Sequence, residues 1–268
     1  MHYQYDHDLS AIPSAAPGAP GWFGRYTWTL SATMDFRKLM GRNQASGTVS
    51  LQQHEPEFGQ VDAGVDQAYS NLDCDHHTTM DEAWIQQRAL GGKLTLKAGR
   101  IDANADFDTV PVASGFLNSS MGYSPTLMEF PSYPAPQPGV EVSAMLGRAT
   151  RMAGGEFRTP GGRMTLVEGD QTWGGGSGPG GDGRSGRLAT GMWRLTKAMT
   201  RTDGTAGGTG GIYGVLQQSL WKGPLAGGRA RTLSGFLQAG SGDKQVNPYS
   251  GHLGGGLVWS GLWQATGG

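Results

Sequence analysis

From Tyr26 to Phe36 the chain alternates strictly. Trp28, Leu30, Ala32, Met34 and Phe36 fall on one face of an extended segment, and Thr27, Thr29, Ser31, Thr33 and Asp35 fall on the other. Period two over eleven residues predicts a β-strand with one apolar and one small polar face. In a soluble sheet the apolar face would meet a core. In a membrane barrel it would meet lipid, with the polar face lining water. The pattern alone leaves both open.

Further strands are predicted over 47–54, 82–90, 93–100, 140–144, 162–168, 188–196, 211–221, 232–239 and 252–263, about ten in all. Gly91-Gly92 reads as a two-residue hairpin link. Other connections are long and rich in Gly, Pro, Asp and Ser. Alternating short and long connections are those of a membrane barrel, with tight turns at one end and loops at the other. The later strands alternate imperfectly, and their internal glycines permit bends where a sheet curls. Trp221, Trp259 and Trp263 stand near strand ends, as interfacial aromatic girdles do, although tryptophans end strands in soluble cores too.

Composition moves the balance toward a barrel. The 268 residues include 47 glycines and 8 tryptophans, and only 16% are charged, against about 25% in a typical soluble domain. No run approaches the roughly 18 apolar residues of a spanning helix. A mean hydropathy of -0.40 is compatible with a barrel, whose per-strand signal is weak. The net charge of -1 and scattered basic residues exclude the footprint of a nucleic-acid binder. Cys74 is the sole cysteine, so no intrachain disulfide forms. The opening M-H-Y-Q-Y-D-H-D-L-S has no basic segment followed by an apolar one, so no signal peptide is visible in this sequence.

Several groupings invite a chemical reading. Asp102, Asn104, Asp106 and Asp108 place oxygens at alternate positions, like the opening of a calcium loop. Phe107 and Ala113 then stand where such a loop needs Gly and Glu. The same acids fail as a glycosidase pair, since strand residues four apart lie about 13 Å apart. Asp73, Cys74, Asp75, His76 and His77 cluster, but no second group completes a zinc set. Gly176, Gly178 and Gly181 match a dinucleotide-loop spacing with Pro179 inside it and no helix after it. Asn118-Ser119-Ser120 is formally a glycosylation sequon. Trp84, Gln86 and Arg88 share one strand face, opposite Ala83, Ile85 and Gln87. A ring beside hydrogen-bonding groups suits a sugar, and a tryptophan packing a barrel wall suits the pattern equally. No catalytic residues, cofactor or metal are expected, and the chain does not read as an enzyme.

The segment K-A-G-R-I-D-A-N-A-D-F-D, then S-G-F-L-N-S-S-M-G-Y-S-P, then F-P-S-Y-P-A-P-Q-P-G-V-E-V, lies between Lys97 and Val142. It closely resembles the carbohydrate-selective porin (OprB) family. A-Y-S-N-L-D, E-A-W-I-Q-Q, F-L-Q-A-G-S-G-D and H-L-G-G-G-L-V-W-S-G-L extend the likeness over roughly residues 20–263. The resemblance implies an all-β fold: an antiparallel transmembrane β-barrel of the 16-stranded porin type, here with about ten strands and not necessarily closed. Residues 1–25 are expected to be an irregular N-terminal segment. Residues 26–268 would form the barrel region, with a Pro-rich loop at 124–138 and a Gly-rich loop at 172–187.

The resemblance further implies passive diffusion of sugars across a bacterial outer membrane, with sugars and outer-membrane lipid as partners and no nucleic acid. Other envelope proteins or subunits could complete the barrel. Arg100, Asp102, Asn104 and Asp106 would line the pathway with Trp84, Gln86 and Arg88. The Pro-rich loop, folded into the lumen, would narrow it. The alternatives are a shortened OprB-like structural or interaction component without channel activity, and a soluble carbohydrate-active β-protein.

Overall fold

The computed structural model describes residues 2–11, 22–36, 44–58, 70, 72, 76–116, 121–174, 185–226 and 229–261. They form one antiparallel meander of twelve strands, each bonded to its sequence neighbour. In order these are β1 His2–Ala11, β2 Trp22–Asp35, β3 Ala45–Phe58, β4 His77–Ala89, β5 Leu94–Ile101, β6 Gln137–Met145, β7 Thr150–Thr159, β8 Gly162–Trp173, β9 Gly186–Thr200, β10 Ala206–Ala226, β11 Arg229–Gly242 and β12 Gly251–Ser260. Among the described residues β1 and β12 are not paired with each other, so the sheet is not closed.

The sheet is nevertheless curled, and the described residues of segment 102–136, which links β5 to β6, lie on its concave side (102–116 and 121–136). The Tyr133 hydroxyl of that segment reaches His54 on β3 at 3.5 Å, while Phe116 packs edge-on against Phe236 on β11 with ring centroids 5.7 Å apart. One connection can touch strands eight places apart only if the sheet wraps around it.

The two faces are the reverse of a soluble protein's. On β2 the polar residues point inward: Thr27 is buried and meets His54 Nδ1 at 2.9 Å, Thr29 accepts from Gln52, and Thr33 faces Thr48. Thr48, Ser50, Gln52 and His54 continue this row on β3, and Gln217, Ser219 and Gln238 do so on β10 and β11. The outer face carries the large apolar side chains, including Val49, Leu51, Met80, Ile85, Leu96, Val140, Met192, Ile212, Leu237 and Leu257, all exposed. Each would cost roughly 1.5–3 kcal/mol in water relative to an apolar environment. Strands of 8 to 21 residues compare with the roughly 9–11 needed to cross a bilayer. On the outer face Trp221 and Trp259 meet edge-on at 6.1 Å, both in register with Leu233.

Against the sequence reading, the described structure adds two strands. β1 lies within residues 1–25, where an irregular segment was expected. Its Tyr3 and Tyr5 alternate with Gln4 and Asp6, so it has too few apolar positions to signal a strand. β7 was missed because Gly154, Gly155, Arg151 and Glu156 interrupt its alternation. The Gly91-Gly92 link is a four-residue turn, 90–93, with Leu90, Gly91 and Gly92 all at positive φ, and Ala89 pairs with Leu94 across it. Long and short connections do not segregate by end: segment 102–136 and the two-residue link 160–161 lie at the same end of the sheet. The Pro-rich loop expected at 124–138 is the second half of segment 102–136, with Gln137 and Pro138 already in β6.

Residues 175–184, with Gly176, Gly178 and Gly181, lie outside the described residues. So do Asp73, Cys74 and Asp75, Asn118 to Ser120, and Trp263.

Candidate functional site

Segment 102–136 is packed onto the inner wall by two apolar clusters. Phe107 and Leu127 join Phe157, Met164, Leu166, Trp193 and Leu195 of β7 to β9, with Phe107 and Phe157 edge to face at 6.2 Å. Val110 and Ala113 join Ala189, Val215 and Phe236 of β9 to β11. Gly240 on β11 marks how closely the segment approaches the wall, because a Cβ there would overlap the hydroxyls of Ser124 and Thr126.

Beside the clusters, across β5 to β9, runs a band of interleaved charges. Lys97 Nζ on β5 donates to Asp106 Oδ2 at 2.8 Å and stands 3.6 Å from Glu141 on β6. Arg151 on β7 bonds Asp170 Oδ2 at 2.8 Å and donates to the Asp106 carbonyl at 3.3 Å from both terminal nitrogens. Arg187 on β9 donates from Nε to Asp170 Oδ1 at 2.5 Å, from Nη2 to Glu168 at 3.1 Å, and from Nη1 to the Thr109 carbonyl at 2.9 Å. Glu168, Asp170 and Glu141 are all buried. A pocket of about 280 Å³ opens beside this band, lined by Asp106, Thr109, Arg151, Asp170, Thr172 and Arg187 together with Ala105, Met145 and Ala149.

The sequence-predicted residues divide by position. Trp84 and Gln86 face inward on β4, in register with Gly99 and Lys97. The Trp84 ring lies 4.9 Å beneath Lys97 Nζ, a cation–π contact, and its Nε1 donates to Glu82 at 3.0 Å. Gly99, at φ 141, lets β4 and β5 approach closely beside Trp84, and a Cβ there would lie 2.6 Å from the Trp84 Cα. Arg88 shares the face but is exposed at the strand end. Asp106 joins Trp84 and Gln86 through Lys97.

Asp102 and Asn104 act within the segment. Asp102 caps the single turn at 103–105 by accepting from the Asn104 amide at 2.8 Å, and the Asn104 side chain donates to the carbonyls of Phe107, Asp108 and Gly122. Burial raises the Asp102 carboxyl above its ordinary range, opposed by its bonds from Ser132 and Asn104. For Asp106 burial also acts upward, but the Lys97 ammonium outweighs it and holds the carboxyl below the usual value. Arg100 departs from expectation. One residue beyond Gly99, it takes the face of Ala83 and Ile85, away from Trp84, and its Nε donates to the Asp81 carbonyl at 3.1 Å.

Sequence reasoning missed Lys97, Glu141, Arg151, Glu168, Asp170, Arg187 and Tyr213. The available signal was a charge inside a strand at an inward-facing parity, as with Glu168 and Asp170 two apart on β8. Among the described residues no three His, Cys, Asp or Glu side chains converge as a metal set.

The family model for the carbohydrate-selective porin, OprB family, matches residues 25–186. The chain belongs to the OprB family. Segment 102–136 and the charged wall as far as Asp170 on β8 fall inside the matched region, and Arg187 lies one residue beyond it. The structure is similar to the high-pH structure of Pseudomonas putida OprB, with a TM-score of 0.77 at 18% identity, covering 98% of this chain and 72% of that one. Against the low-pH structure of the same protein the TM-score is 0.51 at 20% identity, covering 90% and 66%. At such identities these likenesses establish a shared porin-barrel fold. No curated protein sequence matches the chain.

Proposed function

We propose that this OprB-family chain forms an outer-membrane passage through which sugars diffuse passively. The observation that carries the reading is the inverted sheet: apolar side chains cover the outer face, and a polar, charge-interleaved wall surrounds an inward-packed segment. Outer-membrane lipid would cover the apolar face, as it does in spanning barrels. The inner wall offers donors and acceptors at short intervals with no long run of one sign, which suits an uncharged polyol that exchanges water for protein hydroxyl by hydroxyl. Trp84, Gln86 and Asp106 would contact the sugar beside Lys97, with Arg88 at the rim. Asp102 and Asn104 would act indirectly, by shaping the segment that narrows the passage. The fold and family point to transport rather than catalysis.

Reconstitution into liposomes, followed by swelling in isotonic mono- and disaccharides, tests this. Swelling should be faster with the smaller sugars. Inserted protein that admits no sugar would refute the proposal.

A further inference from the structure

Glu168 is fully buried on β8, yet every contact it makes serves the segment laid over it or the wall beside it. Its Oε2 accepts from the backbone amide of Asp108 at 2.7 Å and from the Tyr213 hydroxyl at 2.9 Å, and its Oε1 accepts from Arg187 at 3.1 Å. Asp108, also fully buried, clasps the two arms of segment 102–136: its Oδ2 accepts from the Ser124 amide at 2.6 Å. Two fully buried carboxyls thus stand at one junction, and one amide links them.

The surroundings do not neutralise both. Asp108, Glu168 and Asp170 face two guanidiniums, Arg151 and Arg187, and both arginines make their closest ion pairs with Asp170. The remaining cation of the band, Lys97, is occupied by Asp106 and Glu141. Gln238 from β11 faces Asp108 without charge, and Tyr123 and Tyr213 approach it as neutral phenols. Among the described residues Asp108 has no ion pair. A buried carboxylate left without a counter-charge is costly, and a bound proton removes the cost.

We propose that Glu168 and Asp108 are the positioning pair that latches segment 102–136 to the inner wall, with a proton held on Asp108, and that this latch sets the width of the passage. Burial, together with the neighbouring Glu168, pushes the Asp108 carboxyl up to about 8, against about 4 for a carboxyl in water. Asp108 lies in a connecting segment and not in a spanning strand. The sign follows from linkage. The latched state binds a proton that the released state does not, so the latch has its full stability below about pH 4. It weakens by up to about tenfold in equilibrium constant per pH unit as pH rises through about 8, and levels off above that. Asp108→Asn keeps an acceptor for the Ser124 amide and needs no proton, so its latch should respond to pH less than the wild type's over the same range, Glu168 being the carboxyl that remains.

The consequence for channel width rests on the porin reading, whereas the latch itself does not. Two measurements on the full chain keep them distinct. Single-channel KCl conductance in planar bilayers should rise or grow noisier in wild type from about pH 5 to 8, change less in Asp108→Asn, and be wide at every pH in Glu168→Ala. Hydrogen-exchange protection of the Ser124 amide and of the Val112 amide, which donates to Gln217 on β10 at 3.0 Å, compared between wild type and Asp108→Asn at each pH, reports the latch whether or not the chain conducts. A protection ratio that falls with rising pH supports the latch, and with silent bilayers it would refute only the porin reading. A ratio constant from pH 5 to 8, or a conducting Asp108→Asn with the wild-type pH response, would overturn the proposal.

Discussion

Leu237→Arg separates a lipid-facing sheet from a water-facing one. Leu237 lies on the outer face of β11, 56% exposed, in register with Leu216 on β10 and Gly255 on β12. It is four residues along the strand from Leu233, which stands in register with Trp221 and Trp259. At about 3.4 Å per residue and a strand tilt of about 40°, that places Leu237 roughly 10 Å from the tryptophan row. The apolar band of such barrels is about 25 Å tall, so a row of interfacial tryptophans puts Leu237 near its middle. A charged side chain there costs about 2–4 kcal/mol for Arg, or roughly 30- to 1000-fold in the folding constant. An exposed leucine on a soluble sheet would tolerate the same change within about 0.5 kcal/mol. Reversible urea unfolding into phospholipid vesicles measures the difference, with Leu237→Ala separating loss of the leucine from the added charge. An Arg variant within about 0.5 kcal/mol of the Ala variant would mean that lipid does not cover this face, and the membrane reading would fail with it.

Two further outcomes are expected. Trp84→Ala removes the ring beneath Lys97, a contact worth about 0.5–2 kcal/mol, and should weaken sugar block of the ion current several-fold while changing KCl conductance less. An unchanged half-blocking sugar concentration would remove Trp84 from the pathway. Gly99→Ala forces a Cβ against the Trp84 backbone at a φ that favours glycine, and should destabilise the chain by about 1–3 kcal/mol in the same vesicle unfolding assay. Wild-type stability would show that β4 and β5 can move apart at no cost.

Strands whose alternation is clean were legible from the sequence alone. β2 is the best case, because its Thr row and its Trp–Leu–Ala–Met row fall on opposite faces without interruption. What alternation could not say was which row met solvent, since a period of two is the same whether the apolar side touches lipid or a core. β1 and β7 escaped for a related reason. The sheet ladder needs only backbone groups, and a strand whose outward positions include Gly154, Glu156 or Arg158 can still pair fully while carrying no hydrophobic signature. Arg100 shows the opposite limit. Its sequence block was recognisable, but its face depended on a parity that is fixed only when the register beside Trp84 is known.

The wall beneath segment 102–136 was illegible for a physical reason that β8 makes plain. Met164, Leu166, Glu168 and Asp170 occupy one inward row, apolar for its first half and acidic for its second. Read as a strand facing water, such a row is incoherent, and read as a strand facing a core it buries two charges. It becomes consistent only when the segment from a distant part of the chain is laid across it. Met164 and Leu166 then meet Phe107 of the segment beside Phe157 of β7, while Glu168 receives the segment's Asp108 amide and Asp170 receives Arg151 of β7 and Arg187 of β9. The hydrogen-bond donors that make the acids tolerable come from residues 17 to 60 positions away in sequence, and no local pattern can register them. A strand row that changes character midway is therefore informative in its own right: in a curled sheet it marks where an inner segment ends its apolar contact and begins its polar one.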